Sequence, residues 1–157
     1  MGITLDQAGI ARVLEGPWSI GASNIGPWVD GSRREPRLRF TVSEREPLVL
    51  VEEQKFIAGD GKERTITITN RFAHGRFTSK SRMLGPMSRW MLGGSDAAST
   101  VVVIRMTHER GGQDGLLVLV REDAQRIELR ANVATNFEQF ELGPEDFASL
   151  TWLPMPE

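Results

Sequence analysis

Basic side chains are concentrated in one acid-free stretch of the chain, residues 65–95. Guanidinium groups present planar pairs of donors that fit carboxylates and phosphates, so such a block can form an anion site. At the two-residue period of a strand, the basic residues of Arg76–Arg82 share one face and Phe77 takes the other. If the basic face lines a cavity, it predicts a site for an anionic head. If it lies outside, it predicts pairing with Glu52 and Glu53 on neighbouring strands. The basic residues of the block are Arg71, Arg76, Lys80, Arg82 and Arg89.

Soft and aromatic side chains accompany the basic block. Trp90 and the methionines around it form an adaptable apolar set that suits an irregular ligand or fills a core. Trp28 lies in a long first loop, Gly26–Ser32, where it predicts either a cover over a ligand or a cap on the core. The methionines of the set are Met83, Met87, Met91 and Met106. The predicted ligand-binding residues are therefore Arg76, Arg82, Arg89, Trp90 and Trp28.

The chain has two histidines, His74 and His108. A haem site needs one axial histidine with a free ring nitrogen, and His74 is the candidate if the protein binds haem. His74 sits beside Gly75 at a predicted turn, which equally favours an exposed histidine. Two distant histidines argue against a histidine-only metal site. No cofactor is expected apart from this haem alternative.

Motifs typical of enzymes are missing from the sequence. It contains no G-x-S-x-G elbow, no H-E-x-x-H and no G-x-x-x-x-G-K-[ST] phosphate loop. The absence of cysteine excludes disulfides, thiolate zinc sites and cysteine nucleophiles. Glu52 and Glu53 are adjacent, so on a strand they face opposite ways and cannot form a catalytic carboxylate pair. The sequence therefore favours non-catalytic binding.

Length and charge narrow the class of protein. The 157 residues fit a single domain, residues 1–157. A net charge of −2 argues against nucleic-acid affinity. The sequence contains no run of ~18 apolar residues, so no membrane-spanning helix is predicted. The N-terminus has neither a charged region nor an apolar core typical of a secretory signal, so we expect a cytoplasmic protein.

Two short helices are predicted to bracket the chain. The first covers Thr4–Leu14 with Thr4 as its cap, and the second begins at Gly143. Between them, turns such as Asp60-Gly61 and Gly93–Asp96 separate short segments of alternating apolar residues.

Those segments predict an all-β fold. Short connections imply antiparallel neighbours, because parallel strands need long crossovers. Strands that are apolar on both faces favour a barrel with an apolar interior. We therefore predict an antiparallel barrel of about eight to ten strands. The predicted strands cover residues 37–42, 48–56, 64–72, 76–82, 88–92, 100–107, 116–121, 126–133 and 137–142.

The tripeptide Gly16-Pro17-Trp18 follows the predicted N-terminal helix and opens the first strand. A short helix, a G-x-W at the first strand and a meander of antiparallel strands resemble the calycins: lipocalins, fatty-acid-binding proteins and nitrobindin-like haem proteins. The resemblance covers nearly the whole chain and extends to lipocalin-like bacterial proteins. It implies that Trp18 seals the closed end of the barrel. It also implies a late-strand arginine packed over that tryptophan, for which Arg130 is the best match.

The same resemblance implies binding of a small apolar or amphiphilic ligand in the barrel, with the arginines available for an anionic head. The chain has no tyrosine, so the arginine-x-tyrosine carboxylate clamp of fatty-acid-binding proteins is absent. A haem-binding barrel, or a barrel with isomerase or cyclase activity, is the alternative. A third interpretation is a barrel filled by its own side chains, which acts only through protein contacts such as a homodimer face.

Overall fold

Nine strands and four short helices make up the described part of the chain. The structure is a computed structural model that describes residues 5–80, 89–107, 114–122 and 128–154. No helix among these residues is long and apolar enough to cross a membrane. The helices are α1 (Gln7–Leu14), α2 (Gly26–Val29), α3 (Leu129–Thr135) and α4 (Pro144–Ser149). The strands are β1 (Gly16–Ser23), β2 (Arg33–Arg45), β3 (Leu48–Ala58), β4 (Glu63–Ala73), β5 (Arg76–Lys80), β6 (Arg89–Ser95), β7 (Val101–Thr107), β8 (Gly115–Arg121) and β9 (Thr151–Trp152).

Strands β1 to β8 form a closed antiparallel barrel, which confirms the predicted fold class. Each strand from β2 to β8 pairs with its neighbour in the chain, and β1 pairs with both β2 and β8. At the closure, Trp18 is the register partner of Leu38 in β2 and of Arg121 in β8. The short β9 pairs with the end of β1. Closure gives every barrel strand two neighbours, so the barrel has no open edge.

The alternation of side chains decides which face of each strand points into the barrel. In β2, Leu38 and Phe40 are buried, whereas Arg37 and Arg39 are exposed. Burying a large apolar side chain contributes roughly 1.5–3 kcal/mol, so these residues fix the register. The main core consists mostly of Leu14, Trp18, Ile20, Leu38, Phe40, Leu48, Leu50, Phe56, Phe77, Trp90, Val102, Ile104, Leu117 and Leu119.

Strands β7 and β8 are apolar on both faces because both faces are covered. Their outward side chains pack against the C-terminal segment in a second core. Arg105 on β7 fastens this segment, since its guanidinium donates to Asp146 of α4 at 2.8 Å and to Asp114 at 3.1 Å. The second core contains Val101, Val103, Leu116 and Val118 from the barrel and Val133, Phe140, Leu142 and Leu150 from the C-terminal segment.

The last two predicted strands are wrong. The segment predicted as a strand over residues 126–133 is helical from Leu129 onward, and residues 136–141 form turns. A short apolar run does not distinguish a strand from a helix that buries one side. In α3 only Val133 is buried, so the helix contacts the barrel through one narrow apolar side.

The turn predicted at Gly93–Asp96 is also wrong, because β6 continues through Gly94 to Ser95. A register shift just before Gly94 bulges the strand. A Cβ atom added to Gly94 would lie 2.6 Å from the backbone of Phe140. Glycine is therefore required at this point, where the C-terminal segment crosses β6.

Substituting Gly94→Ala should lower the free energy of unfolding by about 1–3 kcal/mol, the usual cost of overpacking, because the backbone of Phe140 must move away. The matched control is Gly59→Ala, since a Cβ there meets nothing within 4 Å. The control should change stability by less than about 0.5 kcal/mol. Urea denaturation measures both. Equal stability of the two variants would show that the C-terminal segment does not cross β6 at Gly94.

Helix α1 is fastened to one end of the barrel, called here the α1 end. Its cap is Asp6, whose carboxylate accepts the Gly9 N–H at 2.8 Å. The predicted cap, Thr4, lies outside the described residues. The Trp18 indole N–H donates to the Leu14 carbonyl at 2.8 Å, and the Trp18 side chain is fully buried. Trp18 therefore joins the last turn of α1 to the barrel core.

The arginine that packs over Trp18 is Arg121, at the end of β8, and not the predicted Arg130. Its Cζ atom lies 3.7 Å from the Trp18 ring centroid. Its guanidinium also donates to the carbonyls of Val13 at 2.7 Å and Glu15 at 2.8 Å. Arg130 is exposed on α3. The prediction of Arg130 is wrong because apolar and polar residues alternate around it as in a strand, whereas the segment from Leu129 onward is the helix α3.

Candidate functional site

One layer of the inner barrel wall is polar. The inward side chains of β3 are Leu48, Leu50, Glu52, Gln54 and Phe56, at every second position. Glu52 and Gln54 are only 6% and 7% exposed, so a carboxyl and an amide are buried between apolar layers. Burying such groups costs free energy unless partners compensate. Their surroundings therefore define the candidate site.

Asn70 on β4 connects Glu52 to the neighbouring strands. Its Nδ2 donates to the Glu52 carboxylate at 3.2 Å and to the Leu50 carbonyl at 3.3 Å. Its Oδ1 accepts the Trp90 indole N–H at 2.9 Å and the Ser79 hydroxyl at 2.6 Å. An indole N–H can only donate, so Trp90 fixes the amide orientation and Asn70 must present its NH2 group to Glu52. We call the five residues of this network, Glu52, Gln54, Asn70, Ser79 and Trp90, the lumen cluster.

Glu52 has no positively charged partner among the residues that the structure describes. Its second hydrogen bond comes from Gln54 Nε2 at 2.5 Å, a neutral donor like Asn70. Burial raises the pKa of the Glu52 carboxyl, and the hydrogen bonds from Gln54 and Asn70 oppose this rise only in part. Among the described residues, the ionisable group in this layer of the lumen is therefore an acid.

Apolar residues beside the lumen cluster are only half-buried. Ile68 is the register partner of Glu52 and Ile66 that of Gln54, so both belong to the inner face. Each keeps partial exposure, as does Met106, the register partner of Trp90. A closely packed interior would bury such side chains completely. These inner positions beside the lumen cluster are therefore not completely packed.

The loop that carries α2 lies at the opposite end of the barrel from α1. Trp28 of this loop is 6% exposed and packs edge-on against Phe56, with ring centroids 5.8 Å apart. The Arg33 guanidinium carbon lies 5.1 Å from the Trp28 centroid and 4.7 Å from the Phe56 centroid. Burial lowers the pKa of Arg33, and the charge of Asp30 opposes this. Phe56 follows Gln54 along the inner face, so Trp28 packs into the main core on the α2 side of the cluster.

Trp90 lies inside the barrel and is nearly fully buried. Its ring stacks on Phe77 with centroids 4.3 Å apart and an interplanar angle of 19°. Phe40 contacts it with a centroid separation of 5.8 Å. Protein rings thus pack against Trp90, while its N–H belongs to the lumen cluster.

The described residues of the basic block lie on the outside of the barrel. Phe77 in β5 and Trp90 in β6 are buried, so the alternation turns Arg76 and Arg89 outward, where both are exposed. The predicted placement of these two arginines in a ligand cavity is therefore wrong. Arg82 lies outside the described residues.

The two acids considered as partners of the basic block are separated by the barrel wall. Glu52 is inside, in the lumen cluster. Glu53 is half-buried on the outer face, where its carboxylate lies 3.6 Å from the Lys55 ammonium. Only Glu53 therefore shares a face with the exposed arginines.

His74 is exposed in the turn between β4 and β5, with a φ of 53°. The turn lies outside the lumen, so His74 does not offer an axial ligand to a haem inside the barrel. His108 lies outside the described residues. The described ranges hold no group of three or more histidine, aspartate or glutamate side chains placed to bind a metal ion.

Glu52, Gln54 and Asn70 belong to the site but are not among the residues predicted from the sequence. The signal is the two-residue period of β3, because the apolar residues on either side place Glu52 and Gln54 on the buried face. The adjacent pair Glu52 and Glu53 shows only that the two carboxylates face opposite ways, and not which of them is inside the barrel. Asn70 shares its face with Ile66 and Ile68, which marks it as an inward polar residue in the same way.

The barrel is similar to several solved structures. Lobster apocrustacyanin A1 has a TM-score of 0.68 at 10% identity, and the match covers 99% of this chain and 90% of that chain. Apocrustacyanin C1 has a TM-score of 0.70 at 11% identity, with the same coverage. An odorant binding protein has a TM-score of 0.58 at 12% identity, covering 97% of this chain and 94% of that chain. No protein-family model and no curated protein matches the sequence. The chain has the calycin fold of the lipocalin type, as the resemblance implies.

Proposed function

We propose that this protein binds a small, largely apolar ligand inside the barrel, at the lumen cluster. The observation that carries the proposal is a buried polar network in an apolar wall, next to the half-exposed inner residues Ile66 and Ile68. Small-molecule sites are mostly apolar, with a few convergent polar groups that orient the ligand. The name of one similar structure, an odorant binding protein, fits a ligand of this kind.

The polar end of the ligand should donate hydrogen bonds. The lumen cluster presents the Glu52 carboxyl, whereas Arg76 and Arg89 lie outside the barrel. An anionic head beside Glu52 would add like-charge repulsion in a poorly solvated place. The site therefore favours a neutral or positively charged head over an anionic one.

Filling the lumen should weaken binding. Ile68→Trp adds bulk beside Glu52, whereas Thr67→Trp adds the same bulk on the exposed outer face of the same strand. We expect the wild-type protein to bind 1-dodecanol with a 1:1 stoichiometry, measured by displacement of a neutral fluorescent probe. Ile68→Trp should weaken binding at least about tenfold, because the ligand loses its apolar contacts, and Thr67→Trp should leave it unchanged.

Thermal unfolding of both variants checks that they are folded. Ile66→Trp is a second lumen-filling variant if Ile68→Trp is unstable. Wild-type protein that binds neither dodecanol nor a twelve-carbon analogue with a charged head, or equal weakening by the inner and outer tryptophans, would contradict a ligand site in the lumen. The first of these results would favour a barrel that acts through protein contacts.

A further inference from the structure

The Glu52 carboxyl can accept more hydrogen bonds than the described residues donate to it, and none of those residues gives it a positively charged partner. An ionised carboxylate offers about four acceptor positions. Gln54 and Asn70 donate to one oxygen each, and both donors are neutral. Removing a charge from water without an opposite charge costs free energy. A molecule that brings a positive charge to Glu52 would remove that cost.

The surroundings of Glu52 indicate that this molecule is a ligand and not a side chain. Its register partner across β4 is Ile68, and the next inward residue beyond Gln54 is Phe56, so apolar groups surround the carboxyl along the wall. Asn70 is held with its NH2 group toward Glu52 by the Trp90 indole. Each carboxylate oxygen of Glu52 accepts one hydrogen bond from a described residue, and Ile68 beside it keeps partial exposure.

We propose that Glu52 binds the ammonium group of an apolar primary amine, whose body lies along the inner wall of the barrel. This inference rests on the proposed function, since it names the ligand class for the same site. An ammonium donor and a carboxylate acceptor form a charge-assisted hydrogen bond, roughly twice as strong as a neutral one. The network through Asn70, Ser79 and Trp90 fixes the position of the carboxyl before the ligand arrives, so little ordering is required on binding.

Three ligands with the same twelve-carbon chain and different heads separate the ligand classes. Dodecylamine, 1-dodecanol and dodecanoate are titrated into the wild-type protein at neutral pH, with affinities measured by displacement of the same neutral probe. We expect dodecylamine to bind at least about tenfold more tightly than dodecanol, as expected for one charged hydrogen bond. Dodecanoate should bind most weakly of the three.

The variant Glu52→Gln keeps the size of the side chain and removes its charge. It should bind dodecylamine and dodecanol about equally, because the charge that favours an ammonium head over a hydroxyl head is gone. Glu53→Gln, on the outer face of the same strand, should keep the full preference for the amine.

The outcomes distinguish the two proposals. Binding of all three ligands with equal affinity, or tighter binding of dodecanoate, would overturn the amine assignment and leave ligand binding in place. Binding of none of them would overturn the proposed function itself. If Glu52→Gln fails to fold, the comparison of dodecylamine with dodecanol on the wild-type protein still decides the amine assignment.

Discussion

Replacing Asn70 by aspartate is expected to lower the free energy of unfolding by roughly 3–5 kcal/mol at pH 8, the range for a buried charge left without a partner. The new side chain has the same shape and still accepts the Trp90 N–H. An oxygen, however, replaces the NH2 group that donates to Glu52 at 3.2 Å and to the Leu50 carbonyl at 3.3 Å. Two buried carboxyls would then face each other, and two negative charges at this distance repel strongly where they are poorly solvated.

The loss of stability should depend on pH. Burial already raises the pKa of Glu52, and a facing carboxyl raises it further. A carboxyl with a raised pKa in the folded state stabilises the fold at acid pH and loses that contribution as the pH rises through the folded-state value. The difference between Asn70→Asp and the wild-type protein should therefore shrink as the pH is lowered.

Two variants control this experiment. Asn132→Asp makes the same change on the exposed side of α3 and should alter stability by less than about 0.5 kcal/mol. Combining Glu52→Gln with Asn70→Asp should recover part of the loss, because the two side chains are in contact. Urea denaturation at several pH values measures all of them. A loss that is independent of pH and not recovered in the double variant would show that Asn70 and Glu52 do not interact.

Replacing Arg121 by alanine is expected to cost about 2–4 kcal/mol, because one guanidinium makes several charge-assisted hydrogen bonds and a cation–π contact. It bonds the carbonyls of Val13 and Glu15 and lies over Trp18, so it ties the last barrel strand to α1 and to β1. Gly16 makes room for it, since a Cβ there would lie 2.9 Å from Arg121 Nη1 and the residue has a φ of +110°. The glycine of the G-x-W motif thus serves the approach of this arginine.

Arg121→Lys keeps the positive charge without the planar fork and should lose more than half of the same stability. Arg130→Ala is the matched control, because Arg130 is the exposed arginine that the family resemblance favoured for this position. It should change the free energy of unfolding by less than about 0.5 kcal/mol. Thermal and urea unfolding compare the three variants. A larger loss for Arg130→Ala than for Arg121→Ala would contradict the contact between Arg121 and Trp18.

The barrel itself is predictable from the sequence because short apolar or alternating segments are separated by clear turn signals. Leu38 and Phe40 with their arginine neighbours, or the hairpin at Asp60-Gly61, specify strand, register and turn within a few residues. The C-terminal segment is not predictable in this way. Val133 is buried on one side of a helix, although the sequence around it alternates as a strand does. The helix packs against the outer faces of β7 and β8, and this contact is not visible in the local sequence. Long-range contact, absent from local sequence, decides its conformation.

The site is predictable in part. Trp90 was expected among the ligand residues and does lie inside the barrel, but beside a carboxyl and not beside arginines. Phe77 already indicates that Arg76 faces outward. Adjacent strand residues point to opposite faces, and burying the apolar phenylalanine is more favourable than burying the charged arginine. What the sequence could not show is the convergence of Glu52 and Asn70, which depends on the register between β3 and β4.

The most direct test of a ligand site in the lumen is a crystal structure of the protein grown with dodecylamine. We expect one molecule inside the barrel, with its nitrogen about 2.7–3.2 Å from a Glu52 carboxyl oxygen and its alkyl chain along the inner wall past Ile68. A lumen filled only by protein side chains, with the amine absent or bound to the outer surface, would contradict it.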